Sequence, residues 1–403
     1  MVKVRKYVCS SIMLSLQPKP NSMNSPAKIL VAPLNWGLGH ATRCIPIIQS
    51  LIENNFEPII ASDGVALRIL QKEFPQLTSI ELPSYSIEYA KKEQYFKWKI
   101  IKNSPKMISA IISEKKQVKK LIKEYDLKGI ISDNRLGVYS KKVPSVFITH
   151  QLNVLSGKTS WITSKMHQRI IKKYTECWVP DVAGAVNLTG KLGHLEQPDF
   201  KVKYIGPISR IKKLNIPIEY ELMVLLSGPE PQRTMLEMKL IPSMEKCYGK
   251  VLFVKGVIEA EQKTWTEGKV TYYNFMTANE IEKALNESRY VLSRSGYTTI
   301  MDLAKLNKKA FFIPTPGQFE QEYLAKRLKK NGMVPYCKQD KFDFDKMILE
   351  VNLYDGLHFQ DNEIALITLF DVFKAESKAT EHQITAFSSV NENSEPTPNS
   401  LST

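Results

Sequence analysis

The sequence predicts an α/β protein built from two Rossmann-like units, each a parallel sheet covered by helices on both faces. Three observations predict it. Short apolar runs alternate with stretches of helical periodicity from residue 27 onward. The alternation restarts near residue 220. A chain of 403 residues with 43% apolar content is too long for one ordinary domain and rich enough to bury two cores.

The elements follow in order. Residues 28–33 (KILVAP) form a continuous apolar run, the pattern of a strand buried on both faces. Residues 41–54 carry Ile45, Ile48, Leu51 and Ile52 at helical spacing. A strand over 57–62 (EPIIAS), a helix over 65–74 and a strand over 79–82 come next. Residues 128–132 (KGIIS), 145–149 (SVFIT), 176–180 (ECWVP) and 203–206 (KYIG) read as the remaining strands of the first half. The second half repeats the pattern with strands over 222–227, 250–255, 270–274, 290–293 and 310–314. This βαβ order implies right-handed crossovers. A Pro- and Lys-containing stretch, 207–218, joins the halves. The expected division is a disordered extension over 1–26, a first unit over 27–210, a second over 211–375 and a disordered polar tail over 376–403. The final helix of the second unit is expected to pack back on the first. Met23, just before the first strand, is an alternative start.

Five cysteines, at 9, 44, 177, 247 and 337, include no CxxC pair. That argues against a disulfide framework and a structural zinc site, and favours a reducing cytosol. No apolar run reaches the roughly 20 residues that span a membrane. The net charge of +15 suits nucleic acid, an anionic membrane or a phosphorylated ligand. Residues 86–125 hold 11 lysines and 4 glutamates, interleaved with Tyr95, Phe96 and Trp98. They read either as a solvated helix with its apolar side in the core or as a surface for an anionic leaflet. No recognised nucleic-acid module accompanies them, so nucleic acid is not an expected partner.

The loops carry the chemistry. In residues 34–43 (LNWGLGHATR), Gly37 and Gly39 let the backbone turn and approach a ligand, and the helix behind them attracts negative charge. The third glycine of a dinucleotide fingerprint is missing, although Asp63 ends the second strand where a dehydrogenase binds ribose. In the second half four pieces end successive strands: 225–233 (LLSGPEPQR), 272–281 (YYNFMTANEI), 292–303 (LSRSGYTTIMDL) and 313–328 (IPTPGQFEQEYLAKRL). Arg294, Ser295 and Gly296 before a helix can hold a diphosphate. Glu320 and Gln321 at a strand–helix junction can bind sugar hydroxyls. Singly, each piece also reads as a turn or cap. In the first half, Asp133 and Arg135 follow one strand, and His150 and Gln151 follow another, at the ends where α/β sheets place ligands. Asp343 and Asp345 spell a metal-binding DxD, but they lie in a polar stretch that reads as a solvated turn or helix start, and no metal is expected.

This motif series resembles the GT-B-fold glycosyltransferases, and its second half resembles family 28. Members of that family include the membrane-associated enzyme that adds N-acetylglucosamine to the peptidoglycan lipid intermediate. The similarity covers roughly residues 27–356, and the GLGHATR loop is closer still to uncharacterised bacterial and archaeal relatives. The resemblance implies two Rossmann-like domains whose parallel sheets face each other across a cleft, acceptor first and donor second. It implies inverting, metal-independent transfer of a sugar from a nucleotide-diphosphate sugar to a carbohydrate or lipid-linked acceptor. No cofactor is implied beyond that co-substrate. An anionic membrane surface is among the implied partners, and the place is the cytoplasm or the inner face of its membrane.

By resemblance Gly37, Gly39 and His40 face the reaction centre, and Ser227 and Gly228 form the first donor loop. Asn274, Phe275 and Met276 contact the base through their backbone. Arg294, Ser295 and Gly296 lie by the diphosphate, Asp302 by the ribose, and Glu320 and Gln321 grip the donor sugar. Two departures are Asp302, shorter than the usual glutamate, and Pro229, where small residues are usual. His40 is the first candidate for general base, because neutral imidazole exists at pH 7. The competing reading makes it a donor ligand or a support for its loop. Asp133 is the second candidate, or else a turn cap. Arg135, His150 and Gln151 are placed on the acceptor side, with His150 also readable as a core residue. Two other function classes stand beside transfer: a nucleotide-sugar 2-epimerase, for which no carboxylate set is evident, and a nucleotide-sugar-binding protein without chemistry.

Overall fold

A computed structural model describes residues 25–36, 39–85, 96–257, 259–357 and 366–374. Gly37, most of the N-terminal extension and the polar tail lie outside the described residues. The first half runs β1 (Ala27–Pro33), α1 (Gly39–Glu53), β2 (Phe56–Ser62), α2 (Gly64–Glu73), β3 (Ser79–Glu81), α3 (Phe96–Tyr125), β4 (Gly129–Asp133), β5 (Ser145–Ile148), α4 (Ser160–Ile171), β6 (Glu176–Val179) and β7 (Val202–Tyr204). Its strands form a parallel sheet of order β3-β2-β1-β4-β5-β6-β7.

The second half runs β8 (Tyr220–Leu225), α5 (Gln232–Met244), β9 (Val251–Val254), β10 (Thr264–Glu267), β11 (Val270–Tyr273), α6 (Ala278–Glu287), β12 (Ser288–Ser293), α7 (Tyr297–Lys305), β13 (Lys309–Phe312), α8 (Phe319–Lys330) and α9 (Phe344–Leu353), with α10 (Leu366–Leu369) beyond. The sheet order is β10-β11-β9-β8-β12-β13. The expected strands are all present. One was not foreseen: β10 pairs antiparallel with β11. All four of its residues are exposed, so no buried apolar run marks it. Gly268, at φ 57°, makes the reversal possible.

Burial follows the period of two that a two-faced strand imposes. Ile29 and Val31 of β1 pack with Cys44, Ile45 and Ile48 of α1. Leu30 and Ala32 point the other way, against Val118 and Leu121 of α3. In the second sheet Met223 packs with Ile300 and Met301 of α7, while Leu222 and Val224 pack with Leu236 and Leu240 of α5. Phe370 and Phe373, just past α10, enter the core of the first half beside Phe56 and Trp178.

Strand order reverses between β1 and β4 in one sheet and between β8 and β12 in the other. At such a switch the loops diverge and leave a crevice at the C-terminal strand ends. The linker is tied down, with Lys212 N donating to Glu282 Oε2 at 2.7 Å and Leu214 N to Asn286 Oδ1 at 2.8 Å.

Phe370 is fully buried although it comes from the far end of the chain. Phe370→Ala is expected to cost about 3–5 kcal/mol, read from urea unfolding of the full-length protein. A loss below about 1 kcal/mol would mean that this segment does not complete the first core.

Candidate active site

The first crevice is organised by one buried ion pair. Asp133 ends β4, fully buried, and Arg43 lies in the first turns of α1, 2% exposed. The Arg43 guanidinium grips both oxygens of the Asp133 carboxylate through Nε and Nη2. His40 Nδ1 lies 2.8 Å from Asp133 Oδ1 and 2.7 Å from Arg43 Nη2. His40 and Arg43 are three residues apart, so the helix places them on one face.

Burial alone would raise the Asp133 pKa, but Arg43 and then His40 hold the carboxyl far below its usual range. Asp133, the second base candidate, has both carboxylate oxygens engaged, Oδ2 by Arg43 and Oδ1 by Arg43 and His40. Its place is to orient His40. The His40 pKa is lowered, first by burial and also by Arg43 and His150, against the opposing pull of Asp133.

A second histidine bridges to the other half. His150, two residues past β5, is 6% exposed. Its Nδ1 lies 3.3 Å from Arg43 Nη1, and its Nε2 lies 2.7 Å from Glu320 Oε1. Gln151 Nε2 donates to Glu320 Oε2 at 2.5 Å. Tyr297, first residue of α7, stacks on the His150 ring at 4.3 Å and 13° and donates its hydroxyl to Pro180 O at 2.6 Å. His150 and Gln151, expected on the acceptor side, therefore engage the second half. Burial would raise the Glu320 pKa, but His150, first among its neighbours, draws it down.

Gly39 marks another close approach between the halves. A Cβ there would collide with Thr298 Oγ1 of α7. Arg43, Tyr297 and Thr298 are participants that the sequence reading missed. Arg43 alone had a signal, its spacing from His40.

Arg135 is a correction. It is fully buried, donating to Glu114 Oε1 at 2.6 Å and Asp63 Oδ1 at 2.7 Å and to the Pro83 carbonyl. It braces the core and does not reach the cleft. Asp63, the ribose position of a dehydrogenase, is held in the same network.

Around the second crevice, Ser227 and exposed Gly228 follow β8, and Gly228 holds φ 103°. Gly296 caps the N-terminus of α7, and a Cβ there would meet Thr299 Oγ1 only at 4.0 Å. Ser295 Oγ donates to Gln321 O at 2.8 Å, and Gln321 Oε1 accepts from Thr315 N at 2.8 Å. Both residues brace the loops. Arg294 is 1% exposed. It donates to the carbonyls of Ile313, Pro314 and Gln232 and to Gln339 Oε1, while burial lowers its pKa to about 10. Its two terminal nitrogens thus support the loops around the expected diphosphate, while its buried Nε has no partner among the described residues.

The Asn274 N–H donates to Lys263 O, its carbonyl accepts from Val257 N, and its side chain accepts from Lys263 N. Phe275 N donates to Asn274 Oδ1 and Phe275 O accepts from Gln262 Nε2. Val257, Gln262 and Lys263 thus engage the Asn274 backbone and the Phe275 carbonyl, the Asn274 side chain engages Phe275 N, and half-buried Met276 packs on the second core. A cavity of about 270 Å³ lies next to this loop, lined by Arg233, Glu237, Lys255, Glu259, Lys263 and Trp265. Its charges pair with one another.

Asp302 accepts from Ser209 Oγ at 2.6 Å, so the ribose position is bound to the linker. Asp343 caps α9 by accepting from Lys346 N, and Asp345 pairs with Lys246. Among the described residues no three His, Cys, Asp or Glu side chains converge as a metal site, and no helix is long and apolar enough to cross a membrane.

Residues 246–365 match the glycosyltransferase family 28 C-terminal domain. A relative from Buchnera aphidicola subsp. Schizaphis graminum is named UDP-N-acetylglucosamine--N-acetylmuramyl-(pentapeptide) pyrophosphoryl-undecaprenol N-acetylglucosamine transferase. It is 25% identical over 59% of this chain and 66% of its own length. A Haemophilus ducreyi protein of the same name is 20% identical over 53% of this chain and 58% of its own length. An uncharacterized glycosyltransferase from Methanosarcina acetivorans is 22% identical over 76% of this chain and 84% of its own. Among solved structures, Acinetobacter baumannii MurG superposes with a TM-score of 0.53 over 87% of this chain and all of that one, at 13% identity. The spinosyn rhamnosyltransferase SpnG gives 0.56 over 87% of this chain and 96% of that one, also at 13% identity. These likenesses establish the fold: two mainly parallel α/β sheets in the GT-B arrangement.

Burial raises the Asp302 pKa to about 6, against Ser209 and Arg210. The folded protein then holds this proton more tightly than the unfolded chain. Its contribution to stability is full below the ordinary value of 3.8 and declines as pH rises to about 6. The difference in unfolding free energy between wild type and Asp302→Asn, measured across that window, should shift against the wild type as pH rises. A difference that does not change with pH would remove Asp302 from the buried linker contact.

Proposed function

We propose that this chain, a family 28-like protein of the GT-B fold, transfers a sugar from a nucleotide-diphosphate sugar to an acceptor hydroxyl. The observation that carries this reading is the meeting of the His40–Asp133 pair with Glu320 at one place in the cleft, bridged by His150. A base from one half thereby faces a sugar-binding carboxylate from the other.

In this reading Arg43 Nη2 directs its hydrogen to Asp133 Oδ1 and not to the His40 ring, so His40 donates Nδ1–H to that same oxygen and turns its Nε2 lone pair to the acceptor. A lowered pKa keeps the imidazole neutral at pH 7, the form that accepts a proton. As the acceptor oxygen bonds to the anomeric carbon, its proton passes to Nε2. The bond from that carbon to the diphosphate oxygen breaks, and the nucleoside diphosphate leaves with the electron pair. One displacement inverts the anomeric centre. The N-terminus of α7 behind Gly296 meets the developing negative charge, which supports transfer without a metal.

The relatives' names support N-acetylglucosamine from its uridine diphosphate as donor and a lipid-linked acceptor. A membrane-facing first half fits that acceptor. Exposed Ile108 and Ile112 lie on lysine-rich α3, and exposed Trp161, Ile162 and Met166 lie on α4. The protein then works peripherally on the cytoplasmic face of its membrane.

With a nucleotide-sugar panel, the full-length protein should gain thermal stability and release nucleoside diphosphate only when an acceptor extract is added. No stabilisation by any donor would sink the reading. His40→Ala and Asp133→Asn should each lower kcat by roughly 10²–10⁴-fold while donor KM changes little. The acid limb of the kcat/KM profile should lie below pH 6.5. Turnover unchanged in His40→Ala would remove it as the base. Flotation with phosphatidylglycerol-containing vesicles should be strong at low salt and weak at high salt. Absence of flotation at low salt would contradict the membrane surface.

A further inference from the structure

We propose that His150 and Gln151 are positioning residues for the donor sugar, contributed by the half opposite the one that binds the nucleotide. The proposal rests on the transferase reading and names who holds its sugar-binding carboxylate.

Of the Glu320–Gln321 pair, only Glu320 reaches across the cleft, since the Gln321 carboxamide is turned onto its own loop. Both Glu320 oxygens are met by the first half, Oε1 by His150 Nε2 and Oε2 by Gln151 Nε2. A carboxylate offers roughly four lone-pair sites, so two remain for sugar hydroxyls. The Glu320 side chain is 30% exposed, which leaves an approach to them.

The orientation of His150 is determined from three sides. Arg43 can only donate, so His150 Nδ1 accepts from it and the ring proton sits on Nε2, aimed at Glu320. Tyr297 covers one ring face. Gln151 N donates to Thr149 Oγ1 at 3.1 Å and anchors the turn that presents both side chains. Arg43 thus serves both histidines: through Asp133 it sets the base, and through His150 it sets the sugar carboxylate. The sugar is recognised in full only when the two halves are closed on each other. An open cleft keeps the nucleotide loops but loses the placed Glu320.

The test compares uridine diphosphate with uridine diphosphate N-acetylglucosamine by calorimetric titration of the full-length protein, backed by guanosine and thymidine diphosphate sugars with their nucleoside diphosphates. In the wild type the intact nucleotide sugar should bind more tightly than its nucleoside diphosphate. In the His150→Ala/Gln151→Leu double variant that margin should shrink at least tenfold, while nucleoside diphosphate affinity stays within about twofold and so reports an intact fold. His150→Gln, which keeps an N–H for Glu320, should restore most of the margin. An unchanged or larger margin in the double variant, equal weakening of both ligands, or no rescue by His150→Gln would each overturn the positioning role. If wild type binds nucleoside diphosphates and their sugars equally, the positioning role fails. If it binds none of them, the transferase reading fails as well.

Discussion

The cleft depends on one buried guanidinium–carboxylate pair, Arg43 with Asp133. Removing two charges from water costs several kcal/mol for each ion, and their attraction offsets that cost only with close geometry. Here the geometry is a two-pronged grip, and the remaining guanidinium edge is not wasted on solvent. It faces the ring nitrogens of His40 and His150. The pair is therefore better understood as a device for orientation than as a source of stability. It joins the end of β4 to the first turns of α1 at the point where strand order reverses, and both histidines take their aim from it.

From that pair, order passes to the second half through α8. Glu320, Tyr323 and Arg327 stand at spacings of three and four on one face of this helix. Glu320 meets His150 and Gln151, the Tyr323 hydroxyl accepts from Lys191 N, and Arg327 donates to the carbonyl and side chain of Asn187. α7 adds Tyr297 on His150 and Thr298 against Gly39. In the proposed reading, a cleft assembled from both halves holds the sugar between His40 and Glu320 and keeps bulk water from it. That matters for a reaction in which water competes with the acceptor.

The fold was legible because parallel strands buried on both faces are written as continuous apolar runs, as in residues 28–33 and 250–255. β10 was not, since its Thr-Trp-Thr-Glu sequence is fully exposed and pairs only at an edge. The strand-end loops were legible as places, but the direction of their side chains was not. Arg135 and Arg294 stand at strand ends like ligand-binding arginines, yet both turn inward onto carboxylates or carbonyls. Nothing local distinguishes the two outcomes. The contact between His150 and Glu320 joins residues 170 positions apart and arises only when two independently wound sheets meet. Arg43 was within reach of the sequence, since a cation three residues after His40 shares its helix face.

The most direct measurement is a crystal structure of the full-length protein with intact uridine diphosphate N-acetylglucosamine. The diphosphate should lie against the N-terminus of α7 at Gly296, and a sugar hydroxyl should bond to Glu320. The space beside the anomeric carbon should open toward His40 Nε2, with room for an acceptor oxygen about 3 Å from that nitrogen. A nucleotide sugar seated instead in the cavity between Arg233, Lys255 and Trp265, with its sugar remote from Glu320 and His40, would contradict the proposed site and the chemistry built on it.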